Sequence, residues 1–230
     1  MKPPRPQKAQ PPRADSNEAG LQTRLRLMLA AERLIAELGV GVSTRDIGLA
    51  AGQSNKSAVS YHFGTRHDLA LAICRYHDLD IVHRREARLQ SLSGRGSLLD
   101  WLGGIVRPIT AHLDALGSPS WYARFLAACV GDPMLREVVF ADAIAQQSMK
   151  TLFAEVNQRL PDLPPAVFEA RGAMTQQLIV STCAAHERAL QTRSATPFSS
   201  WHDLAEVTLD ALVGLWRAPV RATSAKPAAR

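Results

Sequence analysis

The apolar residues of this chain recur every three or four positions, and no stretch of useful length alternates apolar with polar. That period belongs to helices. Leu27, Ala31, Leu34, Ile35 and Leu38 form one face of a first helix from about Leu21 to Leu38, and Gly39 ends it. Val42 packs beneath the short helices after it. Ser43 or Thr44 caps a second, short helix, with Asp46 where a capping-box acid belongs behind Ser43. Ile47, Ala50 and Ala51 give it a small apolar face, and Gly52 stops it. Ser54 or Asn55 caps a third helix through about Phe63. Two short helices around a tight glycine turn make a helix-turn-helix. Thr65, with Asp68 three residues on, opens a fourth helix to about Leu92, with Leu69, Ala72, Ile73 and Tyr76 down one side.

Breaks then punctuate the chain. Ser93–Ser97 precedes a fifth helix from Leu98 to about Leu116, which Pro108 bends or splits. Gly117-Ser118-Pro119 precedes a sixth from about Ser120 to Val130. Gly131-Asp132-Pro133 reads as stop, N-cap and first helical residue. A seventh helix runs on to about Leu160, an eighth from about Pro165 to Thr192, and a ninth from a Ser199 or Ser200 cap to Trp216. The expectation is an all-α chain of about nine helices without internal repeats. Residues 1–18 and 218–230, rich in Pro and basic groups and poor in bulky apolar ones, read as a disordered arm and tail.

Composition narrows the class. The 230 residues are 46% hydrophobic, ample for a core, yet no apolar run is long enough to cross a bilayer. The basic N-terminus lacks the apolar segment of a secretory signal. A soluble, cytoplasmic protein is expected. Cys74, Cys129 and Cys183 are odd in number and form no C-x-x-C, so each reads as a small buried group in a reducing compartment. The net charge of +6 is uneven. Residues 21–66 carry six Lys/Arg against three acids, whereas 67–216 carry thirteen against sixteen. The basic excess lies in the helix-turn-helix region and the two tails, which suits a polyanion partner there. Solvated tails are the plainer alternative.

The order Leu34-Ile35-Ala36-Glu37-Leu38-Gly39, Ser43-Thr44-Arg45-Asp46-Ile47, Ala51-Gly52 and Tyr61-His62-Phe63-Gly64-x-Arg66 resembles the DNA-binding head of the TetR family of transcriptional regulators. The resemblance covers roughly residues 21 to 72. Gly48 stands where the family usually has Ala, and Gln53 replaces the usual Val. Gly52 to Phe63 spans one position more than in most members, as in a subgroup with an Ala-Val-x-Tyr-His-Phe-Gly ending, so a longer turn is expected. The resemblance implies a three-helix head over residues 19–66 and a larger ligand-binding and dimerisation body over 67–217.

The head offers chemistry suited to a duplex. A recognition helix lays its N-terminal half in the major groove, and here that half carries Asn55, Lys56, Ser57 and Ala58, with Ser60 one turn on. Asn pairs with adenine, Lys with guanine, and Ala touches a thymine methyl. Thr44 and Arg45 start the second helix, where a hydroxyl and a guanidinium can hold phosphate. By resemblance, Tyr61 and His62 match phosphate-contacting positions, and Arg66 matches a basic position that clamps the backbone. A half-buried structural pair is the alternative for Tyr61 and His62. Phe63 reads as a packing plug beneath the first helix.

For the body, the resemblance implies a homodimer through the last two helices and a near-palindromic double-stranded DNA operator, with heads about 34–36 Å apart. Gly172, Ala173, Ser181, Ala184 and Ala185 are small, and Leu178, Leu209, Leu212, Val213, Leu215 and Trp216 are large, a mixture that suits helix packing within or between chains. Trp101, Trp121, Phe125, Phe140, Met149 and Met174, with Tyr122 and Phe153, line either an ordinary core or a pocket for a small apolar or aromatic effector. His112, His186 and Glu187 would be its polar groups. His77, Asp78, Asp80 and His83 lie close together, but their spacing is not that of a zinc helix, and a solvated helix face is the preferred reading. The chain contains no G-x-S-x-G, P-loop or G-x-G-x-x-G. No catalytic residue, metal or cofactor is expected. The expected function is a ligand-responsive DNA-binding transcription regulator, a repressor released by a small molecule. The alternative is a constitutive DNA-binding or partner-binding dimer without a ligand.

Overall fold

The computed structural model describes residues 13–55, 57–92, 94 and 96–220. Among these residues the chain is helical with no strand, in the order α1 (Arg13–Leu38), α2 (Thr44–Ala50), α3 (Ala58–Phe63), α4 (Arg66–Ser91), α5 (Leu98–Leu116), α6 (Tyr122–Gly131), α7 (Pro133–Ala145), α8 (Gln147–Asn157), α9 (Pro165–Thr192) and α10 (Trp201–Arg217). None of them is long and apolar enough to cross a membrane.

Local signals set most boundaries. Ser43 caps α2 by accepting from the Asp46 N–H. Thr65 and Asp68 form a reciprocal capping box on α4, and Ser97 and Asp100 do the same on α5. Asp132 caps α7 ahead of Pro133, and Ser200 caps α10. Pro108 sits within α5 without dividing it.

Four boundaries or faces differ from the sequence reading. Helix α1 begins at Arg13, so residues 13–18 are helical, not part of the expected disordered arm. Residues 1–12 and 221–230 lie outside the described residues, and with them most of the expected arm and tail. Leu38 is 71% exposed, because α1 ends there and its apolar face closes at Ile35. The recognition helix starts at Ala58, three residues later than an Asn55 start; the Asn55 side chain accepts from the Ser57 N–H and holds the chain in a turn. Finally, the helix expected over 133–160 is two helices, broken at Gln146. That residue is extended (ψ 134), and its side-chain amide is drawn to α4, donating to Asp78 and accepting from Arg85.

The head is α1 to α3 with the first turns of α4. Leu27, Ala31, Ile35, Ile47, Val59, Phe63, Leu69 and Ile73 are buried together in its core. In the body, α5 packs against α4, α8 and α10, while α6 lies between α1 and α9. Gly104 permits the α5–α8 approach, since a Cβ there would meet Leu152 Cδ2 at 2.4 Å. Arg171 of α9 donates to the Trp216 and Ala218 carbonyls and so closes the C-terminus of α10. Cys74, Cys129 and Cys183 are free and buried, as expected.

Candidate nucleic-acid interface

Helix α3, the expected recognition helix, is only six residues long, and its two faces differ sharply. Ala58, Val59 and Phe63 turn inward. Arg24 of α1 places its guanidinium 4.1 Å over the Phe63 ring and donates to the His62 carbonyl, fixing the end of α3 against α1. Phe63 is therefore the plug the sequence suggested. Ser57, Ser60 and Tyr61 face outward. Tyr61 is 83% exposed and touches only the edge of His62, with ring centroids 5.1 Å apart. Of the two aromatic positions, only His62 is half-buried.

The other expected contact residues divide. Arg45 and Asn55 are exposed beside α3, and Thr44 is half-buried behind Arg45. Asn55 and Ser57 belong to the turn before α3, not to the helix, and Ala58 is in the core. Lys56 lies outside the described residues. Arg66 is committed elsewhere: its Nη2 donates to the Val40 carbonyl and, at 2.7 Å, to the Val42 carbonyl. It ties the start of α4 to the α1–α2 loop, a role that the phosphate-clamp expectation missed.

The acids of residues 21–66 are all engaged by the protein itself. Glu32 is buried against His77, Glu37 accepts from Trp121 Nε1 at 3.0 Å, and Asp46 accepts from the Ser43 hydroxyl at 2.6 Å. Glu37 and Asp46 nonetheless stay exposed as anions, as do Arg26, Arg33 and Arg45 as cations.

The eight residues expected to line an effector pocket do not converge. Trp101 is buried under the Arg159 guanidinium, 5.0 Å from its ring, and Trp121 is tied to Glu37. Phe125 and Met149 are core residues, whereas Phe140 and Met174 are exposed, Met174 at 54%. His186 packs edge-on to Trp201 and bonds Thr196 through Nδ1 at 3.0 Å. Two surface clefts, of about 350 and 460 Å³, lie at the α1–α6–α9 and α1–α3–α4 surfaces and include none of the eight.

His112 instead belongs to a buried polar chain that joins three helices. Glu32 Oε2 of α1 lies 2.9 Å from His77 Nε2, His77 Nδ1 lies 2.8 Å from His112 Nε2, and His112 Nδ1 lies 2.7 Å from Asp80 Oδ2. Arg84 Nε donates to the same Asp80 oxygen at 2.7 Å, and Tyr122 stacks on His77 at 3.7 Å. Burial pushes His112 below its usual value, against the Asp80 hydrogen bond that raises it. The expected solvated face at His77 and Asp80 is thus corrected for His77, which is buried; His83 alone of the two histidines is exposed. Among the described residues no three potential metal ligands converge.

No family model matches the chain, and no curated protein matches it by sequence. Solved structures do resemble it in fold. A TetR family transcription regulator from Marinobacter aquaeolei superposes with a TM-score of 0.54 at 15% identity, over 86% of this chain and 97% of that one. The TetR family transcriptional regulator PfmR from Thermus thermophilus gives 0.48 at 16% identity, over 86% and 96%. The multidrug binding protein EbrR, solved with imidazole, gives 0.36 at 21% identity, over 87% and 92%. The first of these carries the fold assignment: the likeness read from the head's residues extends over the architecture of the body.

Proposed function

We propose that the chain is a DNA-binding transcription regulator acting as a homodimer. The observation that carries this reading is the bare outer face of α3, where Tyr61 stands 83% exposed beside Ser57 and Ser60 while the opposite face anchors the head's core. A large aromatic left in water with His62 against its edge, on a helix of this fold and beside the exposed Arg45, is suited to phosphate contact. For the dimer, Ala173, Met174, Ser181 and Ala185 of α9 and Val207, Ala211 and Gly214 of α10 lie at helical spacing on faces that reach solvent. Leu209, Leu212 and Trp216 are not part of that face, being buried within the chain. A small molecule acting on the body would release the operator by favouring a different head separation. The constitutive alternative is favoured by the scatter of the eight expected pocket residues.

The test is anisotropy of the duplex upstream of the chain's own gene, across salt concentrations. Binding should weaken steeply with salt. Tyr61→Ala should lower affinity about tenfold without altering the unfolding midpoint. Salt-independent binding, or full affinity in Tyr61→Ala, would remove the reading.

A further inference from the structure

Arg85 is a buried charge held only by neutral groups. It is 4% exposed. Its Nη1 donates to Gln146 Oε1 at 2.7 Å and weakly to Ser148 Oγ at 3.4 Å, while its Nε has no partner among the described residues. Other buried arginines are better served: Arg124 has the Glu187 carboxylate at 3.0 Å, and Arg171 has two helix-terminal carbonyls. A guanidinium remains charged at every physiological pH, so Arg85 cannot escape by losing its proton.

Both acceptors of Arg85 come from the start of α8, and that start is itself electropositive. No side chain caps α8, as none caps α3, α6 or α9, whereas Ser, Thr or Asp caps α2, α4, α5, α7 and α10. The first amide to find a helical acceptor is that of Lys150, on the Gln146 carbonyl, so the amides of Gln147, Ser148 and Met149 have none among the described residues. The positive end of an eleven-residue helix therefore faces a buried cation across one amide and one hydroxyl. Asp78 is the nearby acid, but Gln146 stands between, donating to Asp78 Oδ2 at 2.8 Å. Burial pushes the Asp78 carboxyl upward despite Arg85, as befits a pair not in contact.

We propose that Arg85 and the first turn of α8 form an anion site that takes the carboxylate of a small effector in place of the Gln146 amide. The Nη1 that donates to Gln146 would donate to the carboxylate instead, and free helix amides supply the rest. Gln146 is half-buried and Gln147 exposed, so the way in is from the surface at the α7–α8 break. As an effector site this rests on the regulator reading above; as a binding site it stands alone.

The experiment follows the arginine Nε–H resonances of the full chain by NMR while acetate, and separately acetamide, is added. The Arg85 peak, identified by its loss in Arg85→Lys, should shift saturably with acetate and not with acetamide. Asp78→Asn should tighten acetate about fivefold by removing the competing charge. An Arg85 peak indifferent to acetate, or moved equally by acetamide, overturns the site. So does an Asp78→Asn chain with weaker acetate binding, which would make Asp78 the resident counter-charge. These readouts involve no DNA, so failure of the operator reading and failure of the anion site are separable.

Discussion

The head and the body bury different things. The head's core is aliphatic and aromatic; apart from Glu32, which is buried against His77, its polar side chains serve as caps, hold backbone carbonyls or stand in solvent. The body is threaded with buried charge: His77, Arg85, His112, Arg124, Arg171, His186 and Glu187 all lie inside. Apolar packing tolerates small adjustments, whereas a buried charge network has few acceptable arrangements. The head can thus adjust slightly at little cost, whereas the body's shape depends on which of its charges are satisfied.

Breaking the body's strongest pair should do most damage. Glu187 accepts from Ser120, the Ala123 and Arg124 amides and the Arg124 guanidinium, all within 3.1 Å. Glu187→Ala leaves a buried cation and should cost about 3–5 kcal/mol in denaturant unfolding. His112→Ala strands His77 and one face of Asp80, and should cost about 2–3 kcal/mol by the same measurement. Acid should reach the body in the same way. His112 and His186 are both held below the usual 6.5 by burial, so the unfolded chain takes up protons first. Stability should therefore fall as pH drops below 6.5, down to the depressed folded values, and a His112→Gln chain should show a shallower loss in melts between about pH 7 and pH 5. In the head, Ser43→Ala removes one cap and should cost about 1 kcal/mol. Tyr61→Ala should change stability by less than about 0.5 kcal/mol, which separates a contact residue from a structural one.

The head was legible because its signals are local. Ser43 and Asp46, Thr65 and Asp68, and Asp132 with Pro133 each lie within three residues of one another, and the structure uses them as caps. The break at Gln146 was not legible, since its cause lies in Asp78 and Arg85, more than sixty residues earlier. His77 and Asp80 looked like neighbours on a wet helix because nothing local announces Glu32 or His112. Aromatic residues such as Trp101 and Phe125 fit core and pocket equally from sequence, and only their neighbours distinguish the two. Arg66 matched a family position, yet the carbonyls it holds could be found only in three dimensions.

Helix α4 spans 26 residues without interruption, so it is a rod about 39 Å long. Its capping box sits at the head, and Arg85 sits near the opposite end. A tilt of about 5° about that far end would sweep the head by about 3 Å, close to the roughly 3.4 Å that separates successive phosphates along one strand of duplex axis. In the proposed regulator, a chemical event too small to see in the body's outline would then be magnified, by leverage alone, into a misfit of one step on the nucleic acid.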